Sequence, residues 1–360
     1  MLNIIYPYRN RDIKRIKKSL NSLANQTNKN FSVYFVDYGS EIEIAKKVEL
    51  LIQDYNFAEY QYYPTNFQPW NKSRALNAVI KQLNDGFCFV ADVDMIFHTE
   101  FVERAISLQK NNTATYFKVG FLSENETKST KHFNEYSVNF ESTNEATGLT
   151  MFPVKVLQKV RGFDEFYHFW GAEDTDVHVR LKNDGCDIVF YEKEILLLHQ
   201  WHKSYRSKET RNLTSDLQLS GIVKLNSQHL TYAGFNTETL VNAQVWGEPL
   251  TQEAYNLLID FSGELKKVLN RKETINHLLF CELPKVDKTV MRFVIELDNH
   301  QSSIKYKLKK LLKKKTPSYY TLKEVNDMLL THIISFYRDY NYMYRVFELE
   351  NRIELTLIKS

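Results

Sequence analysis

Short apolar segments alternate with segments of helical spacing over the first hundred residues, and this alternation constrains the fold more than any other feature of the sequence. The strand candidates are residues 2–6, 31–36, 59–63 and 87–91. The helix candidates, with apolar residues three or four positions apart, are residues 12–25, 41–55 and 72–83. Strands that alternate with helices predict a doubly wound α/β domain with a mostly parallel sheet.

Charged side chains follow three of these strands at the point where each strand ends. Arg9 and Arg11 follow the first strand, Asp37 ends the second, and Asp92 and Asp94 follow the fourth. In open α/β sheets, ligands bind beyond the carboxyl ends of the strands. The sequence therefore predicts a nucleotide-binding site at this edge of the sheet.

Asp92 and Asp94, with Val93 between them, lie in the run FCFVADVDMIF. Two carboxylates at this spacing on a turn can share one divalent cation, and Mg²⁺ and Mn²⁺ prefer oxygen ligands and leave positions open for phosphate oxygens. A cation there would neutralise the charge of a departing nucleoside diphosphate. A pair of solvated loop acids is the alternative interpretation.

A second acidic motif, WGAEDTD, covers residues 170–176. Acidic side chains are favoured at the start of a helix, and Thr175 and Asp176 fit that structural role. One of the other carboxylates could instead act as a general base that removes a proton from a sugar hydroxyl. Trp170 would offer a flat face to a sugar ring.

The run HQWH at residues 199–202 follows the apolar run ILLL. A histidine at the end of a strand can complete a metal site that contains a carboxylate of the D-x-D pair. A structural role for His199 and His202 is the alternative, and the residues alone favour neither.

Five segments resemble glycosyltransferases, and they follow the family's order over residues 2–205. VDYGS resembles an element of family 2 glycosyltransferases. Residues 148–181, which end in FWGAEDTDVHVRL, resemble β-1,4-galactosyltransferases and related bacterial enzymes of the chondroitin-synthase type. YPYRNR, NKSRALNAV and FCFVADVDMI resemble the nucleotide loop, the helix before the D-x-D strand and that strand itself. The resemblance implies a GT-A fold, with a Rossmann-like, mostly parallel central sheet flanked by helices.

The resemblance also implies contacts to a UDP-sugar donor. Arg9 and Arg11 would contact the diphosphate and the uridine, and Asp37 resembles the acid that reads the uracil ring. Lys72 could substitute for Arg74 as the basic donor contact. The full set of implied donor contacts is Pro7, Tyr8, Arg9, Arg11, Asp37, Arg74, Asp92 and Val93.

The metal site is implied in the same way. Asp94 resembles the direct metal ligand, and His199 resembles the third ligand, with His202 as its substitute. Asp92 resembles the residue that holds the ribose and the sugar. The cofactor implied is Mn²⁺ or Mg²⁺.

The acceptor site and the reaction follow from the WGAEDTD segment. Trp170 and Gly171 resemble the acceptor platform, Glu173 resembles the acceptor-binding acid, and Asp174 resembles the catalytic base, so that Glu173 and Asp174 form the implied catalytic pair. The activity implied is inverting transfer of a hexose or N-acetylhexosamine to a glycan or a lipid-linked glycan.

Three positions depart from the family pattern. Ala172 replaces a glycine, Thr175 replaces an aspartate, and Tyr38 replaces the second aspartate of D-D-G-S. We expect the alanine to be tolerated unless the backbone needs a positive φ there. The departures leave the identity of the sugar open.

Net charge, cysteine content and the length of the apolar runs limit the compartments and the classes of partner that we expect. The net charge is +3, which predicts no nucleic-acid partner. Cys88, Cys186 and Cys281 are far apart and favour a reducing compartment. The first apolar run is too short for a signal peptide, and no run of membrane-spanning length occurs. We therefore expect a cytoplasmic bacterial enzyme of surface polysaccharide synthesis. Any membrane contact would be peripheral, at the inner face of the cell membrane, through residues 304–315.

The domain organisation predicted is a GT-A catalytic domain over residues 1–245 and a mainly helical module over residues 246–360. The catalytic domain would comprise a nucleotide-binding half at 1–110 and an acceptor half at 148–205. Residues 112–147 are polar and are interpreted as an excursion or mobile loop. In the module, long amphipathic helical stretches are predicted at 251–270 and 320–342.

The basic run IKYKLKKLLKKK covers residues 304–315 and contains seven lysines. It could lie on an anionic membrane or bind a polyanionic substrate. A solvated helix flank is favoured from the sequence because the segment is short.

Other functions stay open at this point. A non-catalytic carbohydrate-binding or scaffold protein could retain the same fold. A retaining transferase and a nucleotidyltransferase, which would release pyrophosphate, are also compatible with the D-x-D pair.

Overall fold

The computed structural model describes residues 1–203, 212–286 and 290–358. The chain divides into two compact units. The first comprises Met1–Asn66, Trp70–Tyr205 and Val223–Pro249, and the second comprises Phe67–Pro69, Arg206–Ile222 and Leu250–Ser360. The functional boundaries drawn from the sequence stay predictions, and residues 204 and 205, at the end of the predicted acceptor half, lie outside the described residues.

The first unit is built on a seven-stranded sheet. Its strands are β1 (Leu2–Tyr8), β2 (Phe31–Tyr38), β3 (Ala58–Tyr63), β4 (Phe87–Val90), β6 (Thr113–Phe117), β9 (Thr150–Pro153) and β10 (Asp187–Tyr191). Their order is β10-β6-β9-β4-β1-β2-β3, and all neighbours are parallel except where β9 pairs with β4 and β6. The mostly parallel central sheet predicted from the sequence is confirmed.

Helices cover both faces of this sheet. They are α1 (Ile13–Ala24), α2 (Ile42–Ile52), α3 (Lys72–Ile80), α4 (Phe101–Ser107), α6 (Val154–Lys159) and α7 (Glu173–Asn183). Two further helices, α5 (Glu124–Lys128) and α8 (Ile222–Phe235), contribute to neither core of the sheet. The apolar residues of α1, α2 and α4 share one core with alternate residues of β1, whereas those of α3, α6 and α7 share a second core with Ile5. Because successive strand residues point to opposite faces, one sheet supplies both cores.

A small second sheet carries part of the candidate site. Its strands are β5 (Met95–Phe97), β7 (Val119–Leu122), β8 (Val138–Glu141) and β11 (Leu197–His199). Their order is β5-β11-β7-β8. Strand β11 runs antiparallel to β5, with His199 opposite Met95, and parallel to β7.

The interpretation of residues 112–147 as a loop excursion is wrong for much of its length. Strand β6 lies inside the central sheet and is buried along its whole length. Strands β7 and β8 belong to the small sheet. The threonine and aromatic content of TATYF suits a strand even though the segment has few aliphatic residues.

The second unit mixes helices with a sheet that the sequence analysis did not predict. Its helices are α9 (Gln252–Ile259), α10 (Lys272–His277), α11 (Ile304–Leu311) and α12 (Leu322–His332). Its strands are β12 (Leu265–Leu269), β13 (Met291–Glu296), β14 (Asn341–Phe347) and β15 (Arg352–Ile358), in the order β12-β13-β15-β14. The predicted helical stretch at 251–270 is therefore a helix followed by a strand. Over the described ranges, no helix combines the length and apolarity that crossing a bilayer requires.

Candidate active site

The ammonium group of Lys72 lies among three carboxylates of the first unit. Its Nζ atom is 3.0 Å from Oδ2 of Asp174, 3.5 Å from Oε1 of Glu173 and 3.9 Å from Oδ1 of Asp92. We call these four residues the carboxylate cluster. The D-x-D turn and the WGAEDTD motif, which are distant in sequence, thus meet at one cation.

Two helix starts position this cluster. Asn71 caps α3 by accepting a hydrogen bond from the Arg74 N–H at 2.8 Å, which places Lys72 at the first helical position. Glu173 and Asp174 are the first two residues of α7. The N-terminal end of a helix carries partial positive charge, which favours acidic side chains in the first turn of α7.

The turn that leads into α7 has an unusual backbone. Phe169, Gly171 and Ala172 have φ angles of 64°, 101° and 75°. Such angles suit glycine and cost a residue with a Cβ about 1–3 kcal/mol. Ala172 therefore occupies a position of positive φ, which is the condition under which the sequence analysis did not expect an alanine to be tolerated.

Burial and neighbouring charges shift the titration of the cluster. Burial raises the pKa of Asp174 to about 7; Lys72 lowers it, and Glu173 and Asp92 raise it. Burial lowers the pKa of Lys72, but its three carboxylate neighbours outweigh this and hold it above its ordinary value. Lys72 therefore stays cationic, while Asp174 changes its protonation near neutral pH, where a general base works best.

Gly148 makes room for the Asp174 carboxylate. A Cβ atom at Gly148 would lie 3.1 Å from Oδ2 of Asp174, closer than an ordinary van der Waals contact. The sequence analysis did not identify Gly148 as a site residue, because only the folded chain brings the start of β9 against the start of α7.

Asp94, His199 and His202 form a group that can hold a metal ion, with one ligand atom from each residue within 4.8 Å of the others. Nε2 of His199 is 3.6 Å from Oδ1 of Asp94, and Nε2 of His202 is 3.3 Å from Oδ2. The pairing of β5 with β11 puts His199 opposite Met95, directly after Asp94.

An unsatisfied atom supports the fit of this group to a metal. Oδ1 of Asp94 is buried and has no hydrogen-bond partner among the described residues. A buried carboxylate oxygen without a partner is costly, and a cation would satisfy it. One carboxylate with two imidazoles is a donor set that suits Mn²⁺ and other first-row divalent ions.

Two phenylalanines that the sequence analysis missed extend from the metal group. The ring of Phe121 packs against His199, with centroids 5.0 Å apart, and stacks on Phe140 at 4.5 Å. Phe140 lies on the edge strand β8 and is 55% exposed. The apolar–polar alternation in VNFE, the segment that contains Phe140, was the available signal, and it lies in the segment interpreted as a loop.

Arg9 joins the end of β1 to the end of β2 and to the segment that follows β3. Its guanidinium donates to the carbonyl of Tyr38 and, at 2.9 Å, to that of Thr65, and it packs against the Tyr38 and Trp70 rings. Arg11 is exposed. The two arginines predicted to contact the donor therefore differ, because Arg9 also braces two loops.

Pro7, Tyr8, Asp37 and Val93 are buried. Tyr8 packs on Phe35 in the core, and its hydroxyl donates to a backbone carbonyl. Asp37 accepts hydrogen bonds on both carboxylate oxygens, and burial raises its pKa. The structure thus buries these four predicted donor contacts.

Arg74 points away from the carboxylate cluster. Its Nε atom donates to Oε2 of Glu165 at 2.7 Å, and this ion pair is buried. Glu165 also accepts from the N–H of Gly247 at 2.6 Å and from Asn77 at 3.0 Å. Of the two basic residues considered for the donor contact, Lys72 lies in the cluster, and Arg74 belongs to a structural network.

The predicted acceptor platform lies at the surface. Trp170 is 40% exposed, and its carbonyl accepts a hydrogen bond from Asn226 at 3.0 Å. A Cβ added to Gly171 would meet nothing within 4 Å. Both residues directly precede Ala172 and the acids of α7 in the sequence. A sugar ring stacked on Trp170 would therefore contact the segment that leads into these acids.

Two family models match the first unit. Residues 3–159 match the model described as glycosyl transferase family 2, and residues 127–203 match the model described as the N-terminal domain of galactosyltransferase. The first match contains Lys72 and the D-x-D pair, and the second contains the acids of α7 and both histidines. The resemblance predicted from the sequence is confirmed by these matches.

Two solved structures are similar at low identity. One is a mannosyltransferase, PcManGT from Pyrobaculum calidifontis, in complex with GDP-Man and Mn²⁺, at 14% identity and a TM-score of 0.42, covering 57% of this chain and 58% of that one. The other is GalNAc-T7 with UDP, GalNAc and Mn²⁺, at 11% identity and a TM-score of 0.49, covering 65% of this chain and 49% of that one. This chain thus spans about three fifths of the length of the mannosyltransferase and about half of the length of GalNAc-T7.

Proposed function

We propose that this chain is a glycosyltransferase that transfers a hexose or N-acetylhexosamine from a UDP-sugar to a glycan hydroxyl with inversion. The matches of residues 3–159 to the family 2 model and of residues 127–203 to the galactosyltransferase model support this proposal. The observation that carries the proposal is the meeting of Asp92, Glu173 and Asp174 at Lys72. The proposed base Asp174 and Asp92 of the D-x-D turn thus both lie within 3.9 Å of the Lys72 ammonium group.

Asp174 is proposed as the general base. Its carboxylate takes the proton of the acceptor hydroxyl as the oxygen of that hydroxyl forms a bond to the anomeric carbon. The bond from that carbon to the diphosphate breaks on the opposite face, so an α-linked donor gives a β-linked product. The pKa of about 7 supports this role because a base that titrates near the working pH transfers protons most effectively.

Lys72 is proposed to orient Asp174 and to offset negative charge in the cleft. Its ammonium lies within 3.1 Å of both Asp174 oxygens, which restricts rotation of the carboxylate. Arg11, which is exposed, is proposed to contact the donor diphosphate. Burial raises the pKa of Asp92, but neighbouring positive charges, of which Lys72 is the largest and Arg11 a lesser one, outweigh it and lower that pKa.

Asp94, His199 and His202 are proposed to hold Mn²⁺ or Mg²⁺. When bound, such an ion would supply charge neutralisation for the diphosphate leaving group. Trp170 is proposed to stack on the acceptor sugar, and Glu173 to accept a hydrogen bond from one of its hydroxyls. A lipid-linked glycan of a bacterial surface polysaccharide is the proposed acceptor class.

The test is a screen for UDP release with several UDP-sugars, Mn²⁺ and a panel of glycan acceptors, with Asp174→Asn in parallel. We expect one donor to give acceptor-dependent UDP release that the variant lacks, and a product of inverted anomeric configuration. A retained configuration would contradict the single displacement. Release of pyrophosphate would indicate a nucleotidyltransferase, and sugar binding without turnover for any donor would favour the non-catalytic alternative.

A further inference from the structure

Helix α11 of the second unit carries a row of apolar side chains that faces away from the protein. Ile304, Leu308 and Leu311 are 84%, 55% and 80% exposed, and Leu312, which follows the helix, is 56% exposed. Their spacing of four, three and one places them on one face. An amphipathic helix of a globular protein normally turns such a face toward the core.

The opposite side of α11 is fastened to its own unit by Tyr306. This side chain is 9% exposed, and its ring packs edge-on against His300 and Tyr319, both at 5.4 Å. Its hydroxyl donates to the carbonyl of Pro317 at 3.3 Å. Tyr306 lies about 200° around the helix from Ile304, so the packed side and the apolar row point in opposite directions.

Lysines surround the apolar row. They are Lys305, Lys307, Lys309, Lys310, Lys313, Lys314 and Lys315, and all are exposed. Within the described ranges of the chain, no carboxylate lies within ion-pair distance of any of them. Their positive charge is thus not offset locally, and their long stems can extend beside the apolar row while the ammonium groups stay in a polar layer.

We propose that α11 and the lysines that follow it dock on an anionic lipid surface, with Ile304, Leu308, Leu311 and Leu312 entering the boundary between headgroups and acyl chains. The lysines would contact lipid phosphates. The shortness of residues 304–315 favoured a solvated helix flank in the sequence analysis. That interpretation does not account for apolar side chains that point into solvent. A soluble polyanion would engage the lysines but leave that row in water.

This inference does not depend on the proposed reaction. It adds a location at which an acceptor carried on a lipid would be concentrated near the enzyme. Vesicle binding and UDP release are separate measurements, so either proposal can fail without the other.

The experiment is co-sedimentation of the full chain with vesicles of phosphatidylcholine alone or mixed with phosphatidylglycerol. We expect binding only to the mixed vesicles, weakening as salt rises. Replacing the row by Ile304→Ser, Leu308→Ser and Leu311→Ser should weaken this binding about tenfold or more while leaving turnover of a soluble acceptor unchanged. These side chains are exposed, so the fold should survive, and the thermal unfolding midpoint checks it.

The controls are exposed leucines elsewhere in the chain. Leu50→Ser, Leu240→Ser and Leu257→Ser, at 64%, 55% and 53% exposure, should leave vesicle binding unchanged. Absence of binding to the mixed vesicles would overturn the proposal. So would binding that the serine changes at 304, 308 and 311 do not affect. Heparin binding in place of vesicle binding would identify a polyanion site instead.

Discussion

The Nζ atom of Lys72 lies 3.0 Å from Oδ2 of Asp174, although 102 positions separate the two residues in the chain. One begins helix α3 and the other lies in the first turn of helix α7. This ion pair joins the half of the site that carries the D-x-D turn to the half that carries the proposed base.

Asp174→Asn should lower turnover about 10²–10⁴-fold, because the amide cannot accept the proton of the acceptor hydroxyl. The amide keeps the size and the hydrogen-bonding shape of the carboxylate, so UDP affinity should change little. Steady-state kinetics and UDP titration calorimetry measure the two effects. Asp54→Asn, at an exposed position, is the control. Wild-type turnover by the Asp174 variant would exclude it as the base.

Lys72→Met should move the acid limb of the pH–activity profile to higher pH. Lys72 lowers the pKa of Asp174, which is about 7 in its presence, and removing the cation therefore raises that pKa further. A base is active when deprotonated, so activity should be lost at a higher pH as the solution is acidified. The measurement is kcat/KM against pH across neutrality.

Lys72→Arg is the companion variant, because it keeps the positive charge. Its acid limb should stay near that of the parent protein. If Lys72→Met leaves the limb in place and lowers only the maximal rate, Lys72 does not act on the titration of Asp174.

Asp94→Ala should abolish divalent-cation binding together with activity. It removes the only carboxylate of the group, and two imidazoles alone are a weak site for Mn²⁺. Mn²⁺ binding measured by calorimetry on the protein without nucleotide separates this effect from catalysis. His277→Ala, an exposed histidine outside the group, should bind Mn²⁺ as the parent does. Full activity in EDTA would rule out the metal role.

Arg74→Met should destabilise the first unit by about 3–5 kcal/mol, because it leaves the Glu165 carboxylate buried without its cation. Adding Glu165→Gln should restore part of that loss. The measurement is the thermal unfolding midpoint, with UDP affinity determined below the transition. A stable Arg74→Met protein that has lost UDP affinity would return Arg74 to the donor site.

Ala172→Gly should stabilise the protein by about 1 kcal/mol, since glycine adopts a φ of 75° without a Cβ penalty. Ala254→Gly, inside helix α9, is the control of opposite sign and should destabilise by a similar amount. Both changes are measured by thermal unfolding. A destabilised Ala172→Gly protein would show that the alanine side chain makes a contact worth more than the backbone strain.

The sequence was informative wherever a residue's place follows from the end of a strand. The D-x-D turn and His199 were identified because strand ends gather at one edge of a sheet, and the structure places Asp94 and His199 side by side. The sequence did not indicate whether Lys72 or Arg74 is the basic residue of the site. The two lie about 200° apart around α3, so Lys72 faces the carboxylate cluster and Arg74 faces the buried Glu165. A helix buried on most sides gives no clear polar face in its sequence.

Other features needed long-range information. Ala172 has a positive φ because the turn from Phe169 must lead into α7, and no local pattern marks an alanine for that conformation. The sheet of the second unit was missed because short strands such as LKKVL show no period that separates them from a helix.

The pairing of β5 with β11 sets one further constraint on the metal group. Only three residue pairs join the two strands, and side chains alternate between faces, so a slip of one position would turn His199 away from Asp94. Residues 98–196 separate the two strands in the chain, so no short connecting turn fixes their pairing. The register of these three pairs must therefore be conserved. A homologue with one extra residue inside either strand should keep the fold but lose metal binding.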